Sequence, residues 1–238
     1  MGGQRGADMA LLIAGRSGLG LAVASLALAA AGAAWATDTD TQAWSVVQAS
    51  GALSDKMTLT VDGQARFSDD ASRLGQVIFR PSLGWRLDTT TTVSAGYAYV
   101  RSTPKGRSTT HEHRGWQQLS YRLAGDGKGV TLTGRTRLEQ RWVEDRDGTG
   151  WRMRQQVRFT TPLKDGVRAV AWTEAFVGLN QTRWGQRDGL HLWRSFAGVS
   201  VPISKAVTLE PGYLHQRAYR TGPDQVTHAA AVWINLQF

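Results

Sequence analysis

From Trp44 onward this sequence alternates apolar and polar residues over one segment after another, each about ten to thirteen residues long. The stretch VWINLQF shows the pattern plainly. Val232, Ile234, Leu236 and Phe238 fall on one side, and Trp233, Asn235 and Gln237 on the other. A two-residue period is that of a β-strand with two unlike faces. Strands in soluble domains average about five or six residues, whereas a tilted strand crossing a bilayer needs about nine to eleven. A long strand with a bare apolar face invites edge-to-edge aggregation in water. The face needs another solvent.

Eleven such segments can be traced, beginning near Trp44, Met57, Gln76, Thr91, His113, Val130, Trp151, Val167, Leu190, Val207 and His228. Short connections (Ser54–Lys56, Asp88–Thr90, Lys164–Gly166, Ser204–Ala206) alternate with longer polar ones (Ser68–Arg73, Thr103–Thr110, Glu144–Gly150, Asn180–Gly189, Thr221–Gln225). Ala124–Gly129 is somewhat long for a short-turn slot. Short turns on one side and long loops on the other are the layout of a transmembrane barrel. A soluble sandwich also alternates, so the faces decide. At Val130, Leu132, Leu138 and Trp142 oppose Arg135, Arg137, Glu139 and Arg141; at Trp151, Met153, Val157 and Phe159 oppose Arg152, Arg154 and Arg158. Trp85, Trp142, Trp151, Trp193, Tyr97, Tyr99, Tyr213 and Phe238 sit near strand ends on the apolar face, as interfacial girdles do. The expected fold is all-β: an antiparallel transmembrane β-barrel of about 10–12 strands. Bacterial barrels normally have an even strand number, so the expectation is ten strands if the Trp44 segment stays outside, or twelve if a strand before it completes the ring.

The N-terminal stretch sets the compartment. Arg5, Arg16 and Asp8 are its only charges, Leu19–Ala34 is almost purely apolar, and Ala34-Trp35-Ala36 has the small-x-small form of a cleavage site. Residues 1–36 therefore read as a cleaved secretory signal peptide, with Met9 an alternative start, and residues 37–238 as the barrel. A retained helix fits less well, because a polar Thr/Asp stretch follows without a stop-transfer cluster. There is no cysteine, which excludes disulfides and thiolate metal sites. The bacterial outer membrane is the expected location.

Several stretches resemble a bacterial family known as a domain of unknown function, number 2490. They are FSDDASRL at Phe67–Leu74, RPSLGWRL at Arg80–Leu87, HRGWQQLSYRL at His113–Leu123, RTRLEQRW at Arg135–Trp142 and GWRMRQQVRF at Gly150–Phe159. The resemblance implies a secreted, barrel-like outer-membrane protein and no particular reaction.

The lumen carries the most concentrated chemistry. By alternation Arg80, Arg86, Arg114, Arg122, Arg135, Arg137, Arg141, Arg152, Arg154 and Arg158 point inward with Glu139 and Glu174. Arg66, Arg168 and Arg194 join them, against Asp62, Glu112 and Glu210. Guanidinium groups pair bidentately with carboxylates, so one outcome is a salt-bridged structural core. The other is a narrow pore whose surplus positive charge favours anions. A different class is a lipid hydrolase using an outward Ser195 and His215, with Ser195 close to Tyr213 and diagonal to His215; such a dyad needs a third group to orient the imidazole. His111 and His113 offer two metal ligands without a third, so no metal or cofactor is expected. Lys105, Arg107 and Arg183 in the outer loops could meet lipopolysaccharide phosphates. Phe238 resembles the terminal aromatic by which barrels are handed to their assembly machinery, giving that machinery and membrane lipid as expected partners. Nucleic acid is excluded, because the basic residues point into a barrel.

Overall fold

The computed structural model describes residues 37–238; the expected signal peptide, residues 1–36, lies outside the described residues. The described chain is eleven β-strands without a helix. These are β1 (Asp38–Ala52), β2 (Met57–Ser68), β3 (Arg73–Arg86), β4 (Thr91–Ser102), β5 (Thr110–Ala124) and β6 (Thr131–Val143). They continue with β7 (Gly150–Pro162), β8 (Arg168–Gly178), β9 (Gly189–Pro202), β10 (Val207–Ala218) and β11 (Gln225–Gln237). Each pairs antiparallel with the next, and β1 pairs with β11 to close the barrel.

The strand number corrects the even-number expectation. The Trp44 segment joins the barrel as β1, and the ring closes at eleven. An odd meander brings its first and last strands into the same direction, so the seam is parallel, in register from Asp38↔Gln225 to Ser50↔Gln237. A parallel ladder bonds as continuously as an antiparallel one, and closure leaves no free edge.

Turn chemistry fixes the short connections. Ser54 Oγ accepts from the Met57 N–H at 3.1 Å, and Asp126 Oδ1 accepts from Lys128 and Gly129, both at 2.9 Å. Asp88 accepts from the hydroxyl and N–H of Thr90, bonds that hold its carboxyl below the usual carboxylate range. These side chains supply the turn bond that the ladder no longer provides.

The two faces of the wall separate as the alternation requires. Phe79, Leu83, Trp85, Trp142, Trp151 and Tyr213 are exposed on the outside. Outward amides on β5–β7 satisfy one another: Gln117 and Gln140 exchange hydrogen bonds, and Thr136 donates to Gln155, which donates to Tyr121. Inside, one side of the barrel holds an apolar cluster of Trp44, Val170, Trp172, Phe196, Leu214, Ala229 and Ala231, with Trp233 packed against it. Room for it comes from glycine: a Cβ at Gly212 would come within 2.5 Å of the Phe196 ring. The opposite side is ionic.

Candidate functional site

Eight inward arginines share five carboxylates in this ionic wall. Arg154 is its centre, donating to Glu139 at 2.8 Å and to both oxygens of Glu174 at 2.9 Å. Arg135 adds a second donor to Glu174 at 2.7 Å, Arg152 bonds Glu139, and Arg137 lies 3.9 Å from Glu139. Glu112 takes a bidentate pair from Arg114 and a bond from Arg141; Arg158 reaches Glu210 at 2.6 Å and Arg80 reaches Asp62 at 3.1 Å. The ladder register explains the assembly: Glu139 stands opposite Arg152, Arg137 opposite Arg154, and Glu174 opposite Arg194. Both Glu139 and Glu174 are 1% exposed, and buried carboxylates of this kind persist only when fully bonded.

Beside this wall lies a cavity of about 1110 Å³. It opens at the long-loop end among Asp38, Asp69, Asp70, Lys105 and Arg220, and runs down to Gln48, Asn235 and Gln237. This well is lined by the strands and the long loops, with no residue of the short turns in its lining. The loop of residues 179–188 roofs the neighbouring part of the mouth. Its Gln186 is buried, donates to the carbonyl oxygens of Trp151 and Asn180, and accepts from Arg141 at 3.1 Å.

The residues singled out by alternation fall in three places. Arg80, Arg114, Arg135, Arg152, Arg154, Arg158 and Glu174 line the well. Arg137, Glu139 and Arg141 lie outside its lining, Arg137 stacked 4.1 Å over Trp116 and bonded to Gln118. Arg86 and Arg122 are outside it too, on the short-turn side, and Arg168 binds the carbonyls of Lys128 and Gly129 in a turn. Two lining arginines have a different setting. Arg66 and Arg194 lie 3.9 and 4.9 Å from the centre of the Trp44 ring, and their acceptors are amide oxygens: Gln64 and Gln76 for Arg66, Gln216 for Arg194. The inward aromatics Trp44, Trp172 and Phe196 carry the same alternation phase as the arginines, and that phase was the signal for them.

On the outer wall, Ser195 stands directly opposite His215, closer than the diagonal placement expected, with Ala197 opposite Tyr213. The Ser195 hydroxyl shares a 3.0 Å hydrogen bond with Thr173 Oγ1. His215 meets His228 edge-on at 5.5 Å, and His228 Nδ1 bonds the Tyr213 hydroxyl at 2.5 Å. His111 and His113 bond Tyr99 and Tyr97, with His113 also 2.9 Å from Glu144. Among the described residues no group of three or more potential metal ligands occurs.

Fold and cavity together define a closed β-barrel with a cationic, amide- and aromatic-lined well. The chain belongs to the family described as protein of unknown function (DUF2490), which matches residues 41–227. It is similar to an uncharacterized protein of Methylorubrum extorquens, 38% identical over 180 residues that cover 74% of this chain and 78% of that protein. No solved structure matches it.

Proposed function

We propose that the protein is a non-enzymatic outer-membrane β-barrel whose well receives anions from the long-loop side. The observation that carries this is the charge of the lining: eleven Lys and Arg against six Asp and Glu, with four of the six acids, Asp38, Asp40, Asp69 and Asp70, at the mouth. Low-dielectric walls focus such a surplus and raise the local concentration of anions. A narrow anion-favouring pore is the conducting form of the same reading.

A membrane setting is supported by the outer wall. Strands of 11–15 residues are long enough to cross a bilayer at a tilt, and closure leaves no backbone edge in lipid. The outward Trp and Tyr residues suit the interfaces, and the outward amides arrive already paired. Exposed Phe238 suits recognition by the barrel assembly machinery, and Arg107 and Arg183 in the long loops suit lipopolysaccharide phosphates. Fractionation and planar-bilayer recording test the reading together. Recovery with outer membranes, heat-modifiable gel migration and anion selectivity in any current support it. Recovery from the periplasm without detergent, or cation-selective steps, would sink it.

A further inference from the structure

The ionic wall accounts for most of the lumen arginines, but Arg66 and Arg194 have no carboxylate within salt-bridge distance among the described residues, and both line the well. Arg66 Nε is buried without a hydrogen-bond partner. Gln216 is only an acceptor toward Arg194, so its NH2 group keeps its donors for something else. Two guanidiniums pressed on Trp44 without a bonded carboxylate are a standing site for an anionic group.

The rest of the lining says what kind of molecule carries that group. Nine lining residues are Gln or Asn, among them Gln48, Gln156, Asn235 and Gln237. A primary amide both donates and accepts, which matches a hydroxyl group, itself both donor and acceptor. Trp233 reaches the same cavity from its edge-on packing against Trp172 and Phe196, offering an apolar surface beside the amides. At about 1110 Å³ the well is far larger than an inorganic oxyanion and of the size that holds organic ligands. An acyl chain would bury those amides without partners, which costs free energy for each.

We infer that the well binds an acidic saccharide, its carboxylate held by Arg66 and Arg194 and its hydroxyls by the amides that include Gln216 and Asn235. The inference rests on reading the cavity as an anion well and adds the ligand class to it. The occupant descends from the long-loop mouth, past the acids of the rim, to Arg66 and Arg194.

Isothermal titration calorimetry on the purified full-length protein, folded in detergent, tests this with three probes: a uronic-acid trisaccharide, a neutral glucose trisaccharide and inorganic phosphate. The uronic-acid probe should bind saturably and roughly tenfold or more tighter than either of the others, as hydrogen bonds to a charged group require. Arg66→Gln with Arg194→Gln should weaken it by roughly tenfold or more while heat-modifiable migration is retained. Asn235→Ala should weaken the trisaccharide and leave any phosphate binding unchanged. Phosphate binding as tight as the uronic-acid probe would overturn the saccharide and leave the anion well standing. Equal binding of neutral and acidic probes, or no binding to a folded barrel, would overturn the inference. Membrane fractionation, read separately, reports on location alone.

Discussion

Phe238 packs across Gly51 on the outside of the β1–β11 seam, and its N–H donates to the Ser50 carbonyl oxygen at 3.0 Å. A side chain at position 51 would occupy the space of the ring. The seam is parallel and holds the two ends of the barrel together, so this contact closes the ring at the short-turn end.

Phe238→Ala should therefore lower the yield of heat-modifiable barrel, while Gln237→Ala should leave it nearly unchanged. Gly51→Leu should resemble Phe238→Ala, since it displaces the same ring. Gel migration of unheated samples measures all three. Equal effects of Phe238→Ala and Gln237→Ala would show that the aromatic has no special part in closure.

Glu139 is the acceptor for Arg152 and Arg154 and faces Arg137 as well. Replacing it with glutamine keeps the shape and leaves three buried guanidiniums around a neutral amide. Removing one partner of a buried pair costs on the order of 3 kcal/mol. Glu210 pairs with Arg158, whose side chain is 28% exposed, so Glu210→Gln should cost clearly less. Urea unfolding in detergent compares the two; a larger loss for Glu210→Gln would contradict the central place given to Glu139.

How much of this was legible beforehand follows from period and parity. Alternation placed Arg135, Arg154 and Glu174 on one face, because a two-residue period is rigid along a strand. It could not give the strand number, since the even-number expectation forbade what a parallel seam permits. Nor could it separate Arg66 and Arg194 from the other arginines. Which cations keep a carboxylate depends on cross-strand register: Glu174 stands opposite Arg194 yet bonds Arg154 and Arg135. Ser195, expected diagonal to His215, stands directly opposite it, again a matter of cross-strand register.

The turn between β2 and β3 holds three successive non-glycine residues in the left-handed region, Asp69, Asp70 and Ala71, with φ near 58°. It is pinned by the Asp70 N–H to Asp40 Oδ1 and the Ala71 N–H to the Thr41 carbonyl oxygen. A Cβ in this region costs roughly 1–2 kcal/mol, and glycine returns part of that as backbone entropy. Ala71→Gly should stabilise the barrel by about 0.5 kcal/mol. A fall in unfolding midpoint instead would mean that the turn does not hold this conformation.

Ser195→Ala removes a hydroxyl engaged with Thr173 and not with His215. The purified protein should release no fatty acid from phospholipid vesicles, and the variant should behave identically. Fatty-acid release that disappears in Ser195→Ala would establish the outer-wall hydrolase in place of a non-enzymatic barrel.

Asp224, in the loop of residues 219–224, accepts from Arg217 Nε at 2.8 Å and from the Arg220 N–H at 3.2 Å, and its carbonyl oxygen accepts from the Asp38 N–H at 2.9 Å. Burial would raise its carboxyl; the hydrogen bonds from Arg217 and Arg220, with the charges of Arg217 and Arg187, outweigh that and hold it below its usual range. A carboxylate with a depressed folded value contributes stability above its unfolded value, about 3.9, and loses it as pH falls through the folded value. Acidification from pH 6 to about 3 and below should thus release the loop and, through Asp38, the start of β1 at the mouth of the well. Amide-exchange protection at Arg220 and Asp38 should drop over that interval in the native protein. In Asp224→Asn it should be low at both ends. Unchanged protection in the native protein across the interval would show that the Asp224 charge does not anchor the mouth.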